Sequence, residues 1–207
     1  EAKYLRHLVA AYRFGKSQFQ TETKDYFRDA DSYLAFNRKL IRALLENTLA
    51  LFPSRKHLVL REPHLTMLFP ELGELLPKAQ FLCVMRDPRD VIASMIEVGK
   101  KLKAQGTATD AMARLFIGRN MDQLSQHLLS FYEPVFRSRA SALRERIHFL
   151  RYEDLVQDPD QQLQILRRFT GLKLAGIDPH AAPDTGKVDH NRGSAYQRAW
   201  KTDKDGK

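Results

Sequence analysis

Gln80-Phe81-Leu82-Cys83-Val84-Met85-Arg86-Asp87-Pro88-Arg89-Asp90-Val91-Ile92-Ala93-Ser94-Met95 is the stretch that decides the fold. Its first part is a continuous apolar run, the pattern of a strand covered on both faces. A polar turn, Arg86-Asp87-Pro88-Arg89-Asp90, follows, and residues 91–102 carry helical spacing. Pro88 falls near the first helical turn, where its missing N–H has no partner to lose. Strand, turn and helix are expected in that order.

The order recurs on both sides. Upstream, His57-Leu58-Val59-Leu60 is a short apolar run before the turn Arg61-Glu62-Pro63-His64 and a helical stretch over residues 65–76, interrupted by Pro70. Downstream, Ile147-His148-Phe149-Leu150 leads into Arg151-Tyr152-Glu153-Asp154, then Pro159 and a helical run through Leu163, Ile165, Leu166 and Phe169. Parallel neighbours need crossover connections, so three buried strands separated by helices give an α/β expectation: three layers, a mostly parallel sheet and extensive helices. A helix over residues 4–14 and another starting at an Asp31-Ser32 N-cap and ending at Pro53 are also expected. So is a long helical region over residues 110–144, broken near Pro134, with Leu115, Leu124, Leu128, Leu129 and Phe131 in the core.

Length and composition bound the rest. The chain has 207 residues with a formal charge of +9, 43% apolar residues and one Cys. One domain over residues 1–207 is expected, and a single Cys excludes an internal disulfide framework. Cys83, inside the apolar run, is expected to be a buried, inert thiol in a reducing compartment. No apolar stretch approaches the ~20 residues of a membrane span, which points to a cytoplasmic protein. The chain begins with Glu1 and not Met, so a longer reading frame is expected. The positive excess favours anionic partners, but the basic residues are scattered among acidic ones, so nucleic acid is not expected. No metal-ligand spacing, nucleophile elbow or dinucleotide fingerprint is present.

In open parallel sheets, ligands bind at the carboxyl ends of strands, and each expected strand here ends in Arg, His, Tyr and acids. The turn after Met85 leads into a helix whose free N–H groups favour an anion, with Ser94 offering a hydroxyl nearby. Alternatively, Arg86 and Arg89 pair with Asp87 and Asp90 on the surface, and Ser94 is an ordinary helix-face hydroxyl.

The string from Leu76 through Met85-Arg86-Asp87-Pro88-Arg89-Asp90 to Ser94-Met95 closely resembles the 3′-phosphate-binding motif of sulfotransferases, which take a sulfuryl group from 3′-phosphoadenosine 5′-phosphosulfate. Phe149-Leu150-Arg151-Tyr152-Glu153-Asp154-Leu155-Val156, with Asp158-Pro159 and Phe169-Thr170-Gly171-Leu172, resembles the family's second recurrent segment. Within the family the wording is nearest to the bacterial and tyrosylprotein branches. The resemblance implies a sheet of the P-loop nucleotide-binding type and a single sulfuryl-transferring domain. It implies that Arg86 and Ser94 hold the 3′-phosphate and that Tyr152 lies against the adenine; otherwise Tyr152 is a core-edge aromatic.

Arg61 stands where many of these enzymes have a Lys on the transferring group. It keeps the charge but cannot readily act as an acid. His64 is a candidate base, or else a histidine with a packing or capping role at the helix start. Glu1 is a second candidate base, by likeness to the tyrosylprotein branch. Residues 187–200 resemble the loop that closes over the nucleotide, with Arg192 and Arg198 adding charge, although any basic tail would look similar. The family's Gly-rich 5′-phosphosulfate loop has no counterpart in residues 1–207 and is expected upstream. The implied activity is transfer to a hydroxyl or amine on a small molecule, glycan, lipid or Tyr-containing peptide, without a metal. An inactive nucleotide-binding or interaction module that keeps the 3′-phosphate site is the alternative.

Overall fold

The computed structural model describes residues 2–106, 111–138, 141–174 and 178. In chain order come α1 (Lys3–Ser17), a π-helical turn (Phe19–Thr23), α2 (Ala30–Ala50), a 3-10 helix (Pro63–Leu68) and α3 (Phe69–Leu75). They are followed by β1 (Phe81–Met85), α4 (Pro88–Ala104), α5 (Ala111–Gly118), α6 (Met121–Arg137), α7 (Ser141–Arg144), β2 (Ile147–Arg151), α8 (Tyr152–Gln157) and α9 (Pro159–Thr170). Among the described residues the sheet is small and parallel, with β1 beside β2.

Two of the three expected strands form. β1 has its turn and helix, whereas after β2 the expected turn 151–154 is replaced by the strand end at Arg151 and the first turn of α8, ahead of the expected helix α9. The third strand, at 57–60, does not form: the chain there is irregular, and Val59 is 80% exposed. An apolar run becomes a strand only where a neighbour supplies ladder partners, which four residues of sequence cannot report. The helical stretch at 65–76 divides at Phe69, because Pro70 sits in the first turn of α3 and starts a helix there without breaking one. None of the described helices is long and apolar enough to cross a membrane.

Packing divides the chain into two compact units, Glu1–Cys83 with Ser130–His148 and Val84–Leu129 with Phe149–Lys207. In the first unit α1 buries Leu5, Val9 and Tyr12, and the Tyr12 ring stacks on Tyr33 of α2 at 5.5 Å between centroids. The Tyr12 hydroxyl donates to Glu74 at 2.8 Å. The start of α2 lies two residues before the expected Asp31-Ser32: the Asp29 carboxylate accepts the Ser32 N–H at 2.7 Å while Ser32 Oγ accepts the Asp29 N–H at 3.1 Å. That reciprocal pair satisfies two backbone donors and outcompetes a later start.

Arg146 fastens the turn before β1. Its Nη1 donates to the carbonyls of Leu76 and Ala79 at 2.9 and 3.1 Å, and its Nη2 to Gly73 at 3.0 Å. Nε donates to Ala142 at 3.0 Å, and the guanidinium lies 5.7 Å from the centre of the Phe81 ring. The carbonyls include those left over at the end of α3, which favour a cation. Cys83 is buried as expected, and desolvation pushes its thiol up to about 11.

In the second unit α4 buries Ile92, Met95, Val98 and Leu102, a three- and four-residue spacing that makes one apolar stripe against α5. Contact is close because Gly99 lacks a Cβ; one built there would stand 2.4 Å from the Phe116 carbonyl oxygen. The helical region breaks twice, at Arg119, where φ is 51°, and again after Arg137, three residues beyond Pro134, which itself lies inside α6. Leu124 and Leu128 are buried, but Leu129 is 63% exposed and not a core residue. Gly171 ends α9 in the left-handed conformation, φ 68°, with its N–H on the Arg167 carbonyl at 2.9 Å.

Candidate functional site

The polar turn after β1 is built around Asp87. Its carboxylate caps α4 by accepting the Arg89 N–H at 2.9 Å, and takes the Arg89 side chain on both oxygens at 3.0 and 2.6 Å. These bonds, the Arg89 side chain first, lower the Asp87 carboxyl to about 2. The helix N-terminus that the sequence offered to an anion therefore already holds one, its own aspartate. Behind the turn, the Asp87 N–H donates to Glu153 Oε1 at 2.7 Å, a bond that is the largest cause of Glu153 titrating below the usual range. It joins Asp87, two residues past the end of β1, to the start of α8 across 66 positions.

Arg86 is left facing outward. Its Nη2 reaches Asp90 at 3.3 Å, and its guanidinium carbon lies 5.1 Å from the centre of the Tyr152 ring. Asp90 and Ser94 are four residues apart on α4, so they share one helix face a turn apart. Arg86 bonded to Asp90 thus lies over the face that carries Ser94, whose half-buried hydroxyl takes no partner among the described residues. Both ion pairs of the alternative reading are formed, but unequally. Arg89 grips Asp87 with two bonds, whereas Arg86 holds Asp90 by one long, exposed contact worth under about 1 kcal/mol. A guanidinium with free donors, a hydroxyl on the neighbouring helix face and an exposed aromatic ring are chemically able to meet an anion and to stack on a flat group.

In the first unit, the turn Arg61-Glu62-Pro63-His64 opens the 3-10 helix. Glu62 is its N-cap, with Oε1 3.4 Å from the His64 N–H and 2.8 Å from His64 Nδ1. Arg6 of α1 stands 3.9 Å from the same oxygen, and the Phe131 ring lies 5.3 Å from the imidazole. Arg61 is exposed; its carbonyl accepts the Ala2 N–H at 3.2 Å.

The family model described as Sulfotransferase family matches residues 2–176, across both recurrent segments. The chain belongs to the sulfotransferase family. It is 29% identical to mouse carbohydrate sulfotransferase 5 over 72% of this chain and 39% of that protein. Human carbohydrate sulfotransferase 6 is 27% identical over the same shares, 72% and 39%. The omega-hydroxy-beta-dihydromenaquinone-9 sulfotransferase of Mycobacterium bovis is 31% identical over 58% of this chain and 30% of its own length. The chain therefore spans 39% or less of the curated relatives it matches. No solved structure matches it.

Of the residues singled out in this sulfotransferase sequence, Arg86, Ser94 and Tyr152 fall at one place in the second unit, and Arg61 and His64 at one place in the first. Glu1, Arg192 and Arg198 lie outside the described residues. Asp90, Glu62 and Glu153 meet the candidate residues here without any motif in the sequence that marks them. The only local signal was an acid next to each basic or aromatic candidate; which acid reaches which partner depends on the fold.

Proposed function

We propose that this protein transfers a sulfuryl group from 3′-phosphoadenosine 5′-phosphosulfate to a hydroxyl or amine acceptor, within a three-layer domain of the P-loop nucleotide-binding type. Arg86 and Ser94 take the 3′-phosphate, Arg86 by its fork and Ser94 by its hydroxyl, and Tyr152 packs on the adenine. The observation that carries this reading is the Arg86 guanidinium, 5.1 Å from the Tyr152 ring centre and 3.3 Å from Asp90 on the Ser94 face. A dianionic phosphate is a stronger partner for that fork than one exposed carboxylate, so the nucleotide displaces Asp90 from it.

At the reacting end, Arg61 acts as a clamp on developing negative charge and His64 as the acceptor of the hydroxyl proton. Glu1 is a second proposed base, and Arg192 and Arg198 add charge around the nucleotide. The relatives' names favour a carbohydrate or a hydroxylated menaquinone as the acceptor class. The test is transfer of radiolabelled sulfate from the nucleotide by the full-length natural chain, across glycan, lipid, phenol and amine acceptors. Labelled product with wild type and at least about a hundredfold less with Arg86→Ala is expected. Tight nucleotide binding with the label retained on the donor across the whole panel would favour the inactive nucleotide-binding module.

A further inference from the structure

We propose that Glu62 is a positioning residue, holding the His64 imidazole in the tautomer whose Nε2 is open to receive the acceptor's proton. This rests on the sulfuryl-transfer reading above and extends it to a residue that the motif resemblance did not single out.

The Glu62 side chain is 4% exposed, and its Oε1 lies 2.8 Å from His64 Nδ1. An ionised carboxylate can only accept, so Nδ1 carries the proton and Nε2 keeps the lone pair. Capping alone does not account for this geometry. The cap bond to the His64 N–H is long, 3.4 Å, and the short bond goes to the ring. Burying a carboxylate costs free energy unless it is paired, and the groups facing Glu62 are the imidazole itself and Arg6 of α1 at 3.9 Å. On its other side the ring meets Phe131 of α6, 5.3 Å between centroids at 45°, which fixes its plane. The His64 side chain is 30% exposed, and Nε2 has no partner among the described residues.

In the transfer step the acceptor oxygen bonds to sulfur while the bond from sulfur to the bridging oxygen breaks, its electron pair leaving on the 5′-phosphate. The acceptor's proton passes to Nε2 and then to water. Glu62 touches none of the reacting atoms. It acts by fixing the ring and stabilising the imidazolium that forms.

The experiment uses the full-length protein with ring-labelled histidine. Nitrogen NMR is expected to show His64 as the Nδ1–H tautomer in wild type. In Glu62→Gln, whose amide can donate to Nδ1, the population moves toward Nε2–H. The same variant is expected to lose about a hundredfold in kcat with donor affinity unchanged. The double variant with His64→Gln is expected to be no slower than His64→Gln alone. An unchanged tautomer in Glu62→Gln, an unchanged kcat, or additive losses in the double variant would overturn the proposal. A wild type that neither binds donor nor transfers sulfate would sink the parent reading instead, while the tautomer measurement would still judge the Glu62–His64 pairing.

Discussion

Arg146 and Arg86 stand at opposite ends of the two strands, one just before β2 and the other just after β1. Arg146 gives its Nε and both terminal nitrogens to four backbone carbonyls between 2.9 and 3.1 Å. Arg86 gives one terminal nitrogen to one carboxylate at 3.3 Å and leans on an exposed ring. The same side chain, with the same five donors, is structural where those donors end on backbone carbonyls held in place by the fold. It is available to a ligand where they end on a carboxylate that water can replace. What separates the two arginines here is the exchangeability of the partner, which fits the proposed binding role of Arg86.

The largest effect expected from breaking this contrast is at Arg146. Arg146→Ala should lower unfolding free energy by about 3 kcal/mol in urea titrations, because several carbonyls lose their donor at once. Arg146→Lys should recover little of it, since an ammonium cannot reproduce the planar fork. Arg86→Ala should behave in the opposite way. Unfolding changes by less than about 0.5 kcal/mol, while affinity for 3′-phosphoadenosine 5′-phosphate, measured by calorimetry, falls about a hundredfold.

Next comes Tyr152→Ala, with about a tenfold loss of nucleotide affinity, while Tyr152→Phe keeps the stacking face and most of the binding. Asp90→Asn should sharpen the comparison from the other side, tightening the nucleotide a few-fold by removing the carboxylate that competes for Arg86. The smallest effect is acid sensitivity at Asp87. Its folded carboxyl, lowered to about 2 by Arg89, contributes stability that is complete above the ordinary value of 3.8 and is lost as pH falls toward 2. Asp87→Asn should remove that part of the pH dependence in denaturation curves.

The β1-turn-α4 unit was legible because everything that makes it is local: an unbroken apolar run, Pro88 in the first turn and apolar spacing after it. Where formation depends on distant groups, local pattern failed. Residues 57–60 have strand composition but no ladder, and the helical region has a break at Arg119 that no proline marks. Leu129 has core chemistry but faces outward from α6. The site divides in the same way. Arg86 and Ser94 lie on one chain segment and could be paired from their spacing and the motif resemblance. That the Tyr152 ring lies against Arg86, and that Glu153 ties down the Asp87 N–H, requires the turn after β1 to meet the start of α8, which no single window of sequence contains. Glu62 sits two residues from His64, yet only the fold shows that its carboxylate is buried and aimed at the ring.

The central claim is that Arg86 keeps its donors for a 3′-phosphate. It is tested most directly by calorimetric titration of the full-length protein with 3′-phosphoadenosine 5′-phosphate and with adenosine 5′-phosphate, which lacks only that group, in wild type and in Arg86→Ala. Micromolar or tighter binding of the first, at least about a hundredfold weaker binding of the second, and loss of that difference in the variant are expected. Equal affinity for the two nucleotides in wild type, or a preference that survives Arg86→Ala, would contradict the account.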